Sequence, residues 1–327
     1  MRIPVKALPV AVLGAALVAA ACGGPDRPDA GVGGAEASRA DVVAQVASYD
    51  LVAGRTGRFI VGVLAADKSR LVSFGTVELR FSYLGTRQRR LKPAEPGPTA
   101  TASFLPIPGQ NVDPAALGPR FVDASEGVGV YGASDVRFER AGLWEVAVAA
   151  AIRGKRRTAT AAFEVLDRSP IPAVGELAPR TENPVAGDSA VPAKAIDSRA
   201  SAGEAIPDSE LHSTTVAAAI AAQRPLMVVV STPTHCQSRF CGPITDSVAG
   251  LAKRYGDRMA FVNLEVWRDF EKGEVNPAAK EWISPPGVTD AREPWVFVVG
   301  RDGRVTHRFD NVAADAELEA AAQDVLA

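Results

Sequence analysis

Short segments in which apolar and polar residues alternate follow one another from Val42 to about Asp167. In Thr76–Tyr83 every second residue is apolar, and the residues between are charged or carry hydroxyl groups. A period of two gives a strand one buried face and one solvated face. Further segments rich in β-forming residues lie at 58–64, 142–149 and 158–165. With turn residues between them, they predict an all-β antiparallel sandwich over residues 42–168.

Two proline-rich stretches interrupt these patterns. Pro93–Gly118 has no period of its own and predicts a long loop within the sandwich. Residues 169–205 hold several prolines among small and charged residues. Because proline blocks both helices and central strands, this second stretch predicts an extended and mobile linker.

After the linker, apolar runs alternate with helical segments. Pro225–Ser231 is a continuous apolar run, typical of a parallel strand that is buried on both faces. Asp208 or Ser209 is placed to cap the preceding helix, on which His212 is expected to be exposed or half-buried. The other predicted elements are helices at 210–222, from about 243, at 277–283 and at 315–326, and strands at 259–267, 294–299 and 305–309. This order predicts an α/β domain over residues 206–327, with right-handed crossovers between parallel strands.

The first 22 residues read as a targeting segment. Arg2 and Lys6 precede an apolar stretch that is too short for a comfortable membrane span, which needs about 20 apolar residues. Small residues directly before Cys22 resemble a bacterial lipobox, in which the cysteine is lipidated. The resemblance implies a signal peptide over 1–21 and a lipid anchor on Cys22. Residues 22–41, rich in Gly, Pro, Asp and Ala, then form a flexible tether. An ordinary cleaved signal peptide is the alternative.

Net charge and cysteine content reduce the number of possible functions. The net charge of −2 and the lack of a basic run argue against a nucleic-acid partner. Once Cys22 is set aside, Cys236 and Cys241 are the two remaining cysteines of three. In an oxidising extracytoplasmic compartment a pair this close in sequence is expected to form a disulfide.

The residues around this pair resemble the redox centre of thioredoxin-like proteins. Phe240-Cys-Gly-Pro243 matches the first part of the family's Trp-Cys-Gly-Pro-Cys motif. The resemblance implies a thioredoxin-like fold over residues 206–327 and a cis peptide bond before Pro294, which would face the cysteines. Ile244 stands where the family has its second cysteine. The partner has moved upstream to Cys236, which gives a Cys-x4-Cys spacing, and the preceding strand carries no acid.

The expected helix start suggests how the two cysteines divide their roles. A cysteine just before a helix meets unpaired backbone N–H groups and the positive end of the helix dipole, and both favour the thiolate. Cys241 precedes Gly242-Pro243, and proline suits the first helical turn. We therefore predict Cys241 as the nucleophile and Cys236 as its resolving partner.

Three other interpretations stay open at this point. The disulfide can be a structural staple, since a short ring contributes about 2–3 kcal/mol to stability. Copper delivery is an alternative, because SCO/SenC-type chaperones use a cysteine pair and a histidine on the same fold. The candidate ligands would be His235, Cys236, Cys241 and His307. A non-enzymatic binding module that retains an inactive disulfide is the third. Peroxiredoxin chemistry is disfavoured, because Thr234 stands seven residues before Cys241, where that family has proline.

The combined features predict a thiol–disulfide oxidoreductase anchored by lipid to the extracytoplasmic face of the cell membrane. It would act on protein or small thiols without a cofactor, with Cys241, Cys236 and Pro294 at its centre. The sandwich would set its distance from the membrane or select its partner. Phe138–Val146 resembles the turn and strand entry of immunoglobulin-like domains, and Trp144 within it is expected in the core.

Overall fold

A large antiparallel sheet occupies the first half of the computed structural model, which describes residues 41–110, 117–123, 125, 128–201, 204–236, 238–288 and 291–327. Its strands are β1 (Val42–Val46), β2 (Thr56–Ala65), β3 (Leu71–Ser73), β4 (Thr76–Gly85), β5 (Arg90–Pro106), β6 (Arg120–Val122), β7 (Gly129–Arg137), β8 (Gly142–Ile152) and β9 (Lys155–Val165). Their order within the described residues is β6-β3-β2-β7-β5-β4-β8-β9, and β1 pairs with β2. The predicted antiparallel all-β architecture is confirmed as one large sheet compatible with a β-sandwich.

The alternating pattern of β4 explains how this sheet forms its core. Val77, Leu79, Phe81 and Tyr83 are buried, whereas the charged residues between them are exposed. The Phe81 ring packs edge-on against other core aromatics at centroid distances of 4.8–6.0 Å. Trp144, predicted as a core residue, is 3% exposed and donates its indole N–H to a backbone carbonyl at 2.9 Å.

The prediction of a loop at Pro93–Gly118 is wrong over its first part, because β5 runs from Arg90 to Pro106. This strand pairs with β4 along most of its length, and with β7 only from Ser103 to Pro106. Pro93, Pro96 and Pro98 lie before that second pairing begins, where one side of the strand makes no ladder, and Pro106 is the last residue of the strand. Proline is tolerated there because its missing N–H is not needed.

A smaller sheet and four helices follow in the second half. The elements are α1 (Val216–Ala221), β10 (Leu226–Ser231), α2 (Cys241–Tyr255), β11 (Ala260–Glu265), β12 (Trp267–Asp269), β13 (Glu274–Val275), α3 (Pro277–Ile283), β14 (Trp295–Val299), β15 (Val305–Asp310) and α4 (Asp315–Leu326), with 3₁₀ turns at Ala193–Ala195 and Ser209–Leu211. Within the described part of the chain the strand order is β11-β10-β14-β15. β10 is parallel to β11 and antiparallel to β14, and β15 is antiparallel to β14.

The apolar run that predicted a buried strand forms β10, and all six of its residues are buried. The first helix is shorter than predicted. It begins at Val216, because Thr215 caps it by accepting the Ala218 N–H at 3.0 Å, whereas Asp208 makes no capping bond from its side chain. The predicted strand at 259–267 ends at Glu265, and Trp267 starts the separate β12–β13 hairpin.

The proline-rich stretch 169–205 has little regular structure, as expected, but it is not a solvated linker. Ile171, Ala178, Ala195 and Ile196 are buried, and Ile171 and Ala178 belong to the hydrophobic core of the smaller sheet. Proline prevents strands and helices without preventing burial, so apolar residues between the prolines still pack.

The two sheets belong to one compact unit, Ala40–Ala327. Arg58 of β2 donates to the Val312 carbonyl at 2.8 Å and lies 3.1 Å from Glu317 and 3.5 Å from Asp310. Next to it, Arg308 of β15 pairs with Asp50 at 2.8 Å. These contacts are partly or fully shielded from water. Charge pairs in such surroundings are screened less than exposed pairs.

No helix among the described residues is long and apolar enough to cross a membrane. The predicted signal peptide, the predicted lipidation site Cys22 and most of the predicted tether lie outside the described residues.

Arg58→Met is expected to destabilise the protein by about 2–3 kcal/mol, because it leaves the carboxylates of Asp310 and Glu317 without their buried partner. A urea titration followed by Trp fluorescence measures the change. Arg87→Met serves as the matched control, since the Arg87–Glu164 pair is exposed. Equal midpoints for the two variants would contradict the expectation.

Candidate functional site

The disulfide joins a turn to the start of a helix. Cys236 lies in the turn between β10 and α2, and Cys241 is the first residue of α2. Their Cα atoms are 5.9 Å apart. The pairing that the cysteine count predicted is confirmed.

The two sulfur-bearing residues differ in their exposure to solvent. Cys241 is 0% exposed, whereas Cys236 is half-buried. A thiolate that approaches from solvent therefore meets Cys236 first. This accessibility runs opposite to the division of roles that the helix start suggested, in which Cys241 is the nucleophile. That division stays a prediction.

Ser198 supports the turn from the proline-rich stretch. Its hydroxyl oxygen accepts the Thr234 N–H at 3.3 Å and the Thr232 hydroxyl at 3.4 Å. Its own N–H donates to Glu265 at 2.8 Å. The turn that carries Cys236 is thus tied to a segment that precedes it by more than thirty residues. Sequence reasoning missed Ser198, because nothing local distinguishes it from the other serines of that stretch.

Charged and polar neighbours anchor Ser198. Asp197 is fully buried, 2.7 Å from Arg199 and 3.2 Å from His212. Burial disfavours its ionised form, but hydrogen bonds from His212 and Arg199 outweigh burial and hold the pKa of Asp197 at about 2. His212, expected to be exposed or half-buried, is 1% exposed because it follows a 3₁₀ turn that directs it towards this carboxylate.

Two buried carboxyl groups lie at the base of the turn. Glu265 ends β11, opposite Ser231 in register, and Glu293 precedes Pro294. Burial raises the pKa of Glu265 to about 7, against hydrogen bonds from Thr232 and Ser198 that lower it. Burial and the Glu265 charge raise the pKa of Glu293 to about 8. The strand before the cysteines indeed carries no acid. Its neighbour β11 supplies one, and an acid closing an apolar strand was the available signal.

A groove of about 710 Å³ opens beside the turn. One wall comes from the large sheet and includes Val46 and Val130, and the other includes Ser238, Trp267 and Glu293. The peptide bond between Glu293 and Pro294 is cis, as the resemblance to thioredoxin-like proteins implied.

An aromatic pair stands at one side of the groove. His235 stacks on Phe270 with ring centroids 3.9 Å apart and planes 2° from parallel. Phe270 is 47% exposed and packs edge-on against Trp267 at 5.4 Å. The exposed Phe270 ring therefore forms an apolar surface beside His235, the residue that precedes Cys236.

The candidate copper ligands do not share one pocket. His235 lines the groove beside the turn, whereas His307 lies on β15 in a separate pocket, 3.7 Å from Asp324. Among the described residues there is no group of three or more His, Cys, Asp or Glu side chains arranged to hold a metal ion.

Glu293→Gln is expected to stabilise the protein at pH 8 by about 3 kcal/mol more than at pH 5. The pKa of Glu293 rises on folding from its ordinary 4.5 to about 8, so the folded state holds the proton more tightly. Stability contributed by this group is therefore lost as the pH rises through that interval. Urea unfolding at both pH values measures the difference, and Glu204→Gln, at an exposed position, is the control. A change that does not depend on pH would contradict the assignment.

A scan against protein-family models matches no family, and a search of curated proteins finds no match.

Proposed function

We propose that this protein is a thiol–disulfide oxidoreductase that exchanges its Cys236–Cys241 disulfide with protein or small-molecule thiols. The observation that carries the proposal is the asymmetry of the pair: a half-buried Cys236 bonded to a fully buried Cys241 at a helix start. The Cys236 side is accessible from solvent, and Cys241 is shielded from it.

The exchange step follows from this asymmetry. A client thiolate attacks Cys236 Sγ, the bond between the two protein sulfurs breaks, and its electron pair leaves on Cys241 Sγ. The product is a mixed disulfide between client and Cys236. The positive end of α2 stabilises the Cys241 thiolate as a leaving group. Attack by a second client thiol on the client sulfur then releases an oxidised client and the reduced protein, and the reverse sequence reduces a client disulfide.

In this proposal the second half of the chain is thioredoxin-like. Four features support it: a parallel β10–β11 pair, an antiparallel β14 and β15, a helix after β10 that begins at a cysteine, and Pro294 directly before β14. The first half would be an immunoglobulin-like sandwich, supported by its antiparallel strands and aromatic core.

The groove supports polypeptide clients in addition to small thiols. It lies beside the accessible cysteine and is lined by apolar residues from both halves, among them Val46, Val130 and Phe270. A volume of about 710 Å³ accommodates several side chains. The large sheet therefore would take part in client binding, beyond setting a distance from the membrane.

A structural disulfide is the competing function, and the full burial of Cys241 favours it. Staples of this kind have reduction potentials below about −300 mV and do not turn over. An exchange-active pair is expected above that value.

Trapping distinguishes these functions and tests the order of attack. The wild-type protein is expected to accelerate dithiothreitol-dependent insulin reduction, and both Cys→Ser variants are expected to lose this activity. Cys241→Ser should hold clients as mixed disulfides on Cys236, because its resolving thiol is gone. Cys236→Ser should trap few, because Cys241 is buried. Mass spectrometry of the trapped adducts identifies the cysteine. A wild-type protein without turnover and with a potential below about −300 mV would be a staple.

The proposal includes a lipid anchor that holds the protein on the extracytoplasmic face of the membrane. The support is the sequence before Cys22, an apolar stretch that ends in small residues.

Replacement of the anchor residue tests this part independently. Wild-type protein expressed in a bacterium is expected to incorporate labelled palmitate and to sediment with membranes. Cys22→Ser should abolish the label and release the protein from the membrane fraction, with insulin reduction by the purified protein unchanged. Equal labelling of both proteins would rule out Cys22 as the modified residue.

A further inference from the structure

A serine hydroxyl lies next to the accessible sulfur. Ser238 Oγ is 3.3 Å from Cys236 Sγ, within the distance of a hydrogen bond to sulfur. The same oxygen accepts the Phe240 N–H at 3.4 Å, which holds the side chain against its own turn. The Ser238 hydroxyl is therefore placed to donate a hydrogen bond to Cys236 Sγ when that sulfur carries a negative charge.

A tyrosine from the first half of the chain lines the same groove as this serine. The Tyr49 hydroxyl donates its proton to the Glu293 carbonyl at 2.8 Å, and the Ser238 side chain opposes the rise that burial causes in the pKa of Tyr49. At its other end the Tyr49 backbone N–H donates to Asp310 at 2.6 Å. The ring packs against Trp295 with centroids 5.9 Å apart. Tyr49 is thus fixed at both ends and along its ring.

The hydroxyl protons of Tyr49 and Ser238 have different sets of acceptors. Burial, followed by the charge of Asp310, raises the pKa of Tyr49, so the phenol keeps its proton at neutral pH. That proton is committed to the Glu293 carbonyl, and the phenol oxygen is left as an acceptor. Ser238 has one hydroxyl proton and two acceptors near it, the phenol oxygen and the Cys236 sulfur.

The preferred acceptor changes with the redox state. A disulfide sulfur is a weak acceptor, so in the oxidised protein the Ser238 proton favours the phenol oxygen. A thiolate is a charged acceptor, and hydrogen bonds to ionised groups are about twice as strong as neutral ones. When Cys236 becomes a thiolate, rotation of one hydroxyl gives it a donor without any movement of the backbone.

We infer that Ser238 is a catalytic residue that donates a hydrogen bond to the Cys236 thiolate, and that Tyr49 is the positioning residue that holds Ser238 for this task. The inference rests on the proposed exchange function and deepens it. In the reducing direction, Cys236 attacks a client disulfide as the thiolate, and the Ser238 hydrogen bond raises the fraction of Cys236 in that form. In the oxidising direction, the same hydrogen bond stabilises Cys236 as the leaving group when a second client thiol attacks the client sulfur of the mixed disulfide and the Cys236–client bond breaks.

Other ionisable groups near Cys236 are common to all variants of the test. His235 and Arg239 adjoin it on the turn, and Arg292 and Glu293 line the groove from the segment before β14. Because these residues stay in place, a difference between variants reports the two hydroxyl groups alone.

The experiment measures the rate of iodoacetamide alkylation of Cys236 against pH in full-length protein that carries Cys241→Ser. Adding Ser238→Ala is expected to slow alkylation at pH 7 by about 5–10-fold and to move the midpoint of the profile to higher pH, the size expected for the net contribution of one hydrogen bond. Ser238→Thr keeps the hydroxyl and should restore the rate to within about twofold. Tyr49→Phe keeps the ring and should slow alkylation by about 2–3-fold, since Ser238 loses its support.

Matched controls exclude a general effect of losing a hydroxyl. Ser201→Ala removes one from an exposed serine, and Tyr255→Phe removes a phenol that contacts Glu319. Neither should change the profile, and thermal unfolding of each variant verifies that it is folded.

Each outcome separates this inference from the proposed function. A Ser238→Ala profile identical to that of the parent would overturn the role of Ser238, whether or not the wild-type protein turns over. An effect of Ser238→Ala without one of Tyr49→Phe would overturn the role of Tyr49. Alkylation that depends on both hydroxyl groups, in a protein with no insulin reduction, would support the pair and reject the oxidoreductase.

Discussion

The carboxylate of Asp310 holds the two sheets of this protein together. It closes β15, is buried, and lies between the Tyr49 N–H at 2.6 Å and the Arg58 guanidinium at 3.5 Å. Burial raises the pKa of Asp310, and the charge of Arg58 opposes this rise. A carboxylate withdrawn from water needs such partners on every side. The position of Tyr49, and with it the wall of the groove near the disulfide, depends on this contact.

The disulfide region shows why a sequence motif can predict a location without predicting roles. Cys241 keeps the motif's place at the start of a helix, where backbone dipoles favour a thiolate. The longer spacing puts Cys236 in the turn, where it is half-buried while Cys241 is fully buried. Electrostatics and access thus favour different sulfurs. A leaving group needs a stabilised thiolate, as at Cys241, and the attacked sulfur needs access to solvent, as at Cys236. The two cysteines therefore suit the two roles in the proposed exchange step.

Local patterns predicted most of the regular structure. The alternation in Thr76–Tyr83 and the apolar run before Ser231 each predict a strand. Burial of one face gives an alternating pattern, and burial of both faces gives a continuous apolar run. β5 was not predicted because Pro93, Pro96 and Pro98 lie where the strand lacks a second neighbour, which the sequence does not reveal. The contacts of Ser198 and Tyr49 were not predicted from the sequence, for a related reason. Their contacts join residues that are far apart in sequence, and such contacts exist only after the chain has folded.

The packing of residues 169–205 limits how far the disulfide can travel. Had this stretch been a free chain, the smaller sheet would move independently of the large one and sweep a wide volume. Burial of Asp197 and Ile196, with the charge pairs around them, removes that freedom. The disulfide and the groove wall from the large sheet therefore keep a fixed position relative to each other. A molecule that enters the groove thus contacts residues of both sheets in one fixed arrangement beside Cys236.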